Sequence, residues 1–239
     1  MKTVNDLTVW CVCIGDKYNT GYVYALKEMV SRNLTLPHTF KCITTHYLHG
    51  INTVNPFVPY QGFWCKMSLF APTVATGPSI YLDLDVVITG NIDYLADYTD
   101  TFSAPPNWAN SGHGGIQSSV MCWPGNWTFP YDEIRKDWPG TVDSNGYREM
   151  RGYKFWGDQE YLWCILGDNW EKIPNVGSYK YHVMSSGTIP EWMRICVFHG
   201  RPDPHEVSDE CLSPYTLIQN YLTKSNTGNG SKQDSGVTA

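Results

Sequence analysis

The chain has 239 residues, enough for one good-sized domain or at most two small ones. Hydrophobic residues make up 42% and charged residues 17%, with ten Trp, 16 Tyr and eight Phe, a composition that excludes disorder for the bulk of the chain. The net charge of −6 leaves no basic excess for a phosphate backbone, so nucleic acid is disfavoured as a partner.

Residues 7–14 (LTVWCVCI) form a continuous apolar run, as expected of a strand buried on both faces of a parallel sheet. Gly15-Asp16-Lys17-Tyr18-Asn19 breaks it. Thr20 is a candidate cap for a helix over 21–31, with Tyr22, Leu26, Met29 and Val30 on one face. Residues 40–44 read as a second strand, and 62–71 as a short helix stopped by Pro72. Residues 79–88 (SIYLDLDVVI) read as one strand with two Asp set into it. This alternation predicts an α/β fold with a mostly parallel central sheet flanked by helices.

From 103 to 157 the chain is rich in Pro, Gly, Trp and Asn and reads as long ordered loops around one strand at 116–123, the acceptor side of a site in an α/β protein. A helix over 158–166, a short strand over 194–198 and a closing helix over 214–222 follow. Residues 223–239 have no aromatic residue and read as a flexible tail or linker, leaving 1–222 as the domain.

No apolar run approaches the roughly 20 residues needed to cross a bilayer. The N-terminal residues lack the layout of a secretory leader, which leaves the three glycosylation sequons without weight. The eight Cys form no CxxC pair, and Cys11 and Cys13 alternate along the first strand. They read as small buried hydrophobes in a reducing compartment, with a cytoplasmic location expected.

Asp83-Leu84-Asp85 is the centre of the chemical reading. With 15 Asp in 239 positions, chance supplies roughly one DxD, so the setting decides. Here Ile80-Tyr81-Leu82 precede the pair and Val86-Val87-Ile88 follow it. Two carboxylates at i and i+2 of a strand share a face, and burying them side by side is costly without a compensating cation. A divalent-metal site at a strand end answers that cost; two Asp reaching solvent at a turn is the plainer alternative.

The run from Tyr81 to Asp93 (YLDLDVVITGNID) resembles the signature of GT-A-fold glycosyltransferases, above all the glycogenin and lipopolysaccharide-galactosyltransferase group, and further segments follow in order from Val9 to Pro204. The resemblance implies a hexose transfer from a UDP-sugar, UDP-glucose or UDP-galactose as first choices, to a hydroxyl of a carbohydrate or other acceptor, with retention. It implies Mn²⁺, with Mg²⁺ as the alternative, held by Asp83, Asp85 and His199, the last in Val197-Phe198-His199-Gly200-Arg201-Pro202.

In the same way Tyr18 would stack on the base and Asp16 help fix it. Lys66, 17 residues before Asp83, would contact donor phosphate or sugar, and Arg201, where the family has Lys, would grip the diphosphate. Gln117, where Asn is usual, and Ser118 would line the sugar pocket. Asp158 would bind the sugar's hydroxyls, with Gln159 under the anomeric carbon as the catalytic pair's amide; an Asp158 facing the acceptor would instead act as base in an inverting transfer. His205 is a spare ligand candidate. Two other readings stand beside this one. The first is a nucleotide-sugar hydrolase or nucleotidyltransferase on the same metal–diphosphate site, although no Gly-rich basic loop follows the first strand. The second is an inactive carbohydrate-binding relative, suited by Trp108, Trp123, Trp127, Trp138 and Trp156.

Overall fold

The structure, a computed structural model, describes residues 6–56, 60, 62–108 and 114–207. The readings at 214–222 and 223–239 lie outside the described residues, as does Cys211.

The first apolar run forms β1 (Thr8–Cys13), buried along nearly its whole length. Its alternation sorts side chains onto two faces: Val9, Cys11 and Cys13 pack towards one core cluster, Trp10 towards the other. Helix α1 (Thr20–Asn33) covers the first face with Tyr22, Val23, Leu26, Met29 and Val30. Its cap is Asn19, whose Oδ1 accepts from the Gly21 amide at 2.9 Å, so the expected cap Thr20 is already helical. β2 (Thr39–Thr44) and β3 (Asn52–Val54) add on one side in parallel. The segment expected as a short helix is a 3₁₀ helix over Gly62–Phe70, buried from Trp64 onward against the second cluster.

The expected single strand at 79–88 is two. β4 (Ser79–Leu82) stays in the main sheet beside β1; Asp83-Leu84-Asp85 turns; β5 (Val86–Ile88) leaves for another sheet. Buried Leu84 keeps the apolar alternation that made the turn look like strand, while the carboxylates sit where the ladder has ended. β6 (Ser103–Ala104) and β7 (Val120–Trp123) complete the far side, β7 antiparallel to β4 with Leu82 opposite Val120. Ile116, expected to open that strand, makes only an isolated bridge to Pro106.

The region expected as loops is partly ordered structure: α2 (Phe129–Asp137), then a small antiparallel sheet of β8 (Thr141–Val142), β9 (Arg148–Met150) and β10 (Tyr153–Phe155). Helix α3 (Asp158–Leu166) has the expected bounds. β11 (Glu171–Lys172) pairs with β6, while β12 (Val176–Ser178) and β13 (Ile195–Val197) form with β5 the second sheet. A π-helical turn, Tyr179–Val183, follows β12.

The main sheet runs β11-β6-β7-β4-β1-β2-β3, parallel in every pairing except the two made by β7. The fold is therefore α/β with a mostly parallel central sheet between helices. Seven described cysteines are free, six of them buried and Cys164 half-buried. No helix among the described residues is long and apolar enough to cross a membrane.

Candidate active site

Register decides where the site sits. β1 and β4 lie side by side, Trp10 opposite Tyr81, so the segment after β1 and the turn after β4 emerge together at the carboxyl end of the parallel strands. β7 runs the other way, so residues 117–119 just before it reach the same end. The start of α3 and the ends of β12 and β13 close the ring. Together they line a cavity of about 1030 Å³. An open α/β sheet places its ligand at this end, and the volume admits a ligand of nucleotide-sugar size.

Asp83 and Asp85 both face the cavity, although from a turn rather than from one strand face. Asp83 receives Lys66 Nζ at 3.0 Å on Oδ1 and a hydrogen bond from the Tyr81 hydroxyl. Asp85 is buried; its Oδ2 accepts from Tyr18 Oη at 2.8 Å and lies 4.0 Å from Lys17 Nζ. Burial, then the charge of Asp83, pushes the Asp85 carboxyl up to about 7 against the pull of Lys17, Tyr18 and Lys66.

Lys66 bridges the two ends of the site. Its ammonium meets Asp83 and lies 3.5 Å from Asp158 Oδ2, with the Ser118 hydroxyl at 3.3 Å. Burial alone would drive its pKa down; Asp158 and Asp83 outweigh this and hold it above the ordinary value, so the ammonium stays charged. Asp158, at the first turn of α3, is 3% exposed, and burial raises its pKa despite Lys66. Its Oδ2 has no hydrogen bond among the described residues. Gln159 lines the cavity, its Oε1 accepting from the Ser118 amide at 3.2 Å. The Gln117 amide turns back to accept from Ser119 N and Oγ at 3.1 and 3.2 Å.

Tyr18 and exposed Asp16 line the cavity beside Asp85, and the Tyr18 hydroxyl also reaches Asp203 at 3.2 Å. His199 follows Phe198, whose amide donates to the Asp85 carbonyl at 3.2 Å. Its Nε2 is 2.7 Å from Ser178 Oγ, and its ring stacks between Trp108 (centroids 6.0 Å, 20°) and Tyr181 (5.6 Å, 26°). Burial and the charge of Lys180 hold its pKa below the ordinary value, so the imidazole is neutral, the form that ligates metals.

Asp83, Asp85, Asp158, Lys66, Gln117, Ser118, Gln159, Asp16, Tyr18 and His199 thus share one cavity. Two placements stand apart from the rest. Arg201 lies off the cavity lining, its side chain 73% exposed, bonded to Glu206 and 3.2 Å from Asp203. Asp203 and Glu206 form a capping box on a short 3₁₀ turn, and that turn holds the guanidinium away. Asp83, Asp85 and His199 are not drawn into one ready-made cluster: among the described residues no three metal-ligating side chains converge. Each is held by other partners, Asp83 by Lys66 and Tyr81, Asp85 by Tyr18, His199 by Ser178. His205 is bonded through Nδ1 to the Tyr22 hydroxyl. Of the tryptophans, Trp123 is core, Trp127 and Trp138 pack on the second cluster, and Trp156 lines the cavity.

The donor set nonetheless fits a divalent cation. Asp16, Asp83, Asp85, Asp158 and Glu160 outnumber Lys17, Lys66 and Lys180 around the cavity, so an anionic ligand meets excess negative charge unless a cation enters with it. Carboxylate and imidazole donors suit Mn²⁺ or Mg²⁺.

The sequence reading missed Lys17, Lys180, Tyr181, Phe63 and Asn107 as cavity residues. Lys17 lay within the segment singled out after β1. Lys180 and Tyr181 come from the π-helical turn, which has no sequence signature.

No protein-family model matches the chain, and no curated protein matches it. Among solved structures, the galactosyltransferase LgtC in complex with donor and acceptor sugar analogs superposes with a TM-score of 0.59 at 11% identity, over 90% of this chain and 95% of that one. The glycosyltransferase GlyE of Streptococcus pneumoniae TIGR4 gives 0.60 at 13% identity over 93% of this chain and 64% of its own. The apo structure of the bifunctional glycosyltransferase WbbM gives 0.58 at 10% over 91% and 49%. The chain has the GT-A fold these proteins share.

Proposed function

We propose that this protein is a metal-dependent glycosyltransferase that moves a hexose from a UDP-sugar to an acceptor hydroxyl with retention. One observation carries the reading. In a GT-A fold, paired carboxylates, a buried charged lysine and an Asp-Gln pair at a helix start meet in one nucleotide-sugar-sized cavity.

The roles follow from the surroundings. Asp83, Asp85 and His199 would hold Mn²⁺ or Mg²⁺, which when bound neutralises the departing diphosphate. Tyr18 offers an aromatic face to the base, with Asp16 beside it. Asp158, whose buried Oδ2 has no hydrogen bond among the described residues, would accept from a sugar hydroxyl. Lys66 sets a positive charge between Asp83 and Asp158 and orients both carboxylates. Gln159, whose Oε1 accepts from the Ser118 amide, would stand beside the reacting carbon. In the transfer the anomeric C–O bond to the diphosphate breaks with its electron pair going to the phosphate oxygen. The acceptor oxygen bonds the same carbon, and its proton passes to the leaving phosphate. Polar groups placed in advance lower the cost of that charge separation.

A panel of nucleotide sugars, incubated with and without Mn²⁺ and with carbohydrate acceptors, tests the reading. Mn²⁺-dependent release of UDP, with the hexose recovered on an acceptor at retained configuration, is expected. Release of UDP with the sugar found only on water would point to hydrolysis instead. No release from any donor would overturn the proposal.

A further inference from the structure

Three ammonium groups line the cavity, and their surroundings differ. Lys66 is buried between Asp83 and Asp158, so its charge is already engaged. Lys17 is 55% exposed, comes no nearer than 4.0 Å to Asp85, and lies over the Tyr18 ring at 4.5 Å. An ion pair that long and that exposed is weak, so this ammonium is free to turn to an incoming anion. Lys180 stands exposed in the π-helical turn after β12, next to Tyr181, whose ring stacks on His199. It faces the cavity, and among the described residues no carboxylate pairs with it. Arg201 is tied to Glu206 and Asp203 outside this lining.

We propose that Lys180 and Lys17 clamp the donor's diphosphate from two separate elements of the fold, in the place that family resemblance assigns to Arg201. The inference rests on the cavity being the donor site. Lysine suits the task as a mobile point charge with three donors, and the clamp assembles only when a polyanion lies between the two side chains.

Calorimetric titrations in the presence of Mn²⁺ with UDP, inorganic pyrophosphate and uridine test the clamp on wild type, Lys180→Gln, Lys17→Gln, the double variant and Arg201→Gln. Each single lysine variant is expected to weaken UDP and pyrophosphate about tenfold and the double about a hundredfold, equivalent to about 1.4 kcal/mol per tenfold step. Uridine, which has no phosphate, keeps its affinity. The salt dependence of UDP binding flattens as each charge is removed, and Arg201→Gln costs less than either lysine change. UDP binding as tight in Lys180→Gln as in wild type overturns the clamp, as does an equal loss for uridine. Wild type that binds UDP regardless of the lysines removes the clamp and keeps the glycosyltransferase reading. Wild type that binds pyrophosphate through the lysines, with no preference for UDP over it, keeps the clamp and removes that reading. Wild type that binds neither probe removes both.

Discussion

Replacing Lys66 by Met tests the electrostatic core of the site. The side chain is 10% exposed, and its ammonium lies 3.0 Å from Asp83 and 3.5 Å from Asp158. Removing one partner of a buried ion pair leaves uncompensated charge and costs about 3–5 kcal/mol. In a domain of this size about 1 kcal/mol moves Tm by roughly 2–4 °C, so a fall of about 10 °C is expected. The loss depends on pH with a definite sign. Burial already raises the pKa of Asp158 in the folded state against the pull of Lys66, and without Lys66 it rises further above the unfolded value near 4. Stability is then kept below that value and lost as pH rises through the raised pKa. The deficit is therefore largest at pH 8 and smallest at pH 5. Urea unfolding followed by tryptophan fluorescence measures it, and Asp158→Asn in the same background should restore part of it. A deficit under about 1 kcal/mol that is equal at both pH values would refute the reasoning.

Three further outcomes are expected. Tyr18→Phe removes the hydroxyl that holds Asp85 down, so the Asp85 carboxyl protonates at higher pH and Mn²⁺-dependent UDP binding fades at a higher pH than in wild type; an unmoved or lowered midpoint in a binding titration contradicts this. Asp93 accepts from Thr35 N at 2.6 Å, Thr35 Oγ1 at 2.5 Å and Asn91 Nδ2 at 3.0 Å, tying the end of α1 to the chain beyond β5. Burial would push its pKa up, but these bonds outweigh it and hold the carboxyl below its ordinary value, so Asp93→Ala should cost about 2–3 kcal/mol at pH 7, with the gap closing as pH falls below about 4; a gap in urea midpoints that persists at pH 2.5 speaks against it. Gly125→Ala places a Cβ 2.3 Å from the Thr76 carbonyl oxygen and 2.6 Å from Gly77 Cα, both backbone, and should cost at least about 2 kcal/mol; a Tm within 2 °C of wild type, on the order of 0.5–1 kcal/mol, shows that the backbone yields.

The parts of the fold that read well in the sequence are those with long-range periodicity. The run at β1 is apolar on both faces because helices cover both, and the spacing in α1 follows from its single buried face. The bounds of α3 were legible because Gly157 and Gly167 flank it. The turn at Asp83–Asp85 was not: buried Leu84 between two polar residues mimics strand alternation, and the switch of β5 to another sheet depends on β13, over a hundred residues away. β8, β9 and β10 are two or three residues each, too short for periodicity to register. In the site, the segments around Asp83, Lys66, Gln117 and Asp158 meet because the sheet register brings them to one end. Arg201 lies off the cavity lining, and the signal for this was nearby, since Asp203 and Glu206 show the spacing of a capping box that turns the chain. Lys180 had no local signal, because only the pairing of β12 with β13 carries its turn to the cavity.

The central claim is that a divalent cation and a diphosphate enter this cavity together. The thermal shift of the protein with UDP and Mn²⁺, each alone and both together, repeated with EDTA and with Asp85→Ala, tests it most directly. The account predicts a rise of several degrees for the pair, reflecting about 2.7 kcal/mol at a ligand concentration a hundred times Kd, with little for either alone and none after EDTA or in Asp85→Ala. A shift of the same size that survives both EDTA and the loss of Asp85 would contradict it.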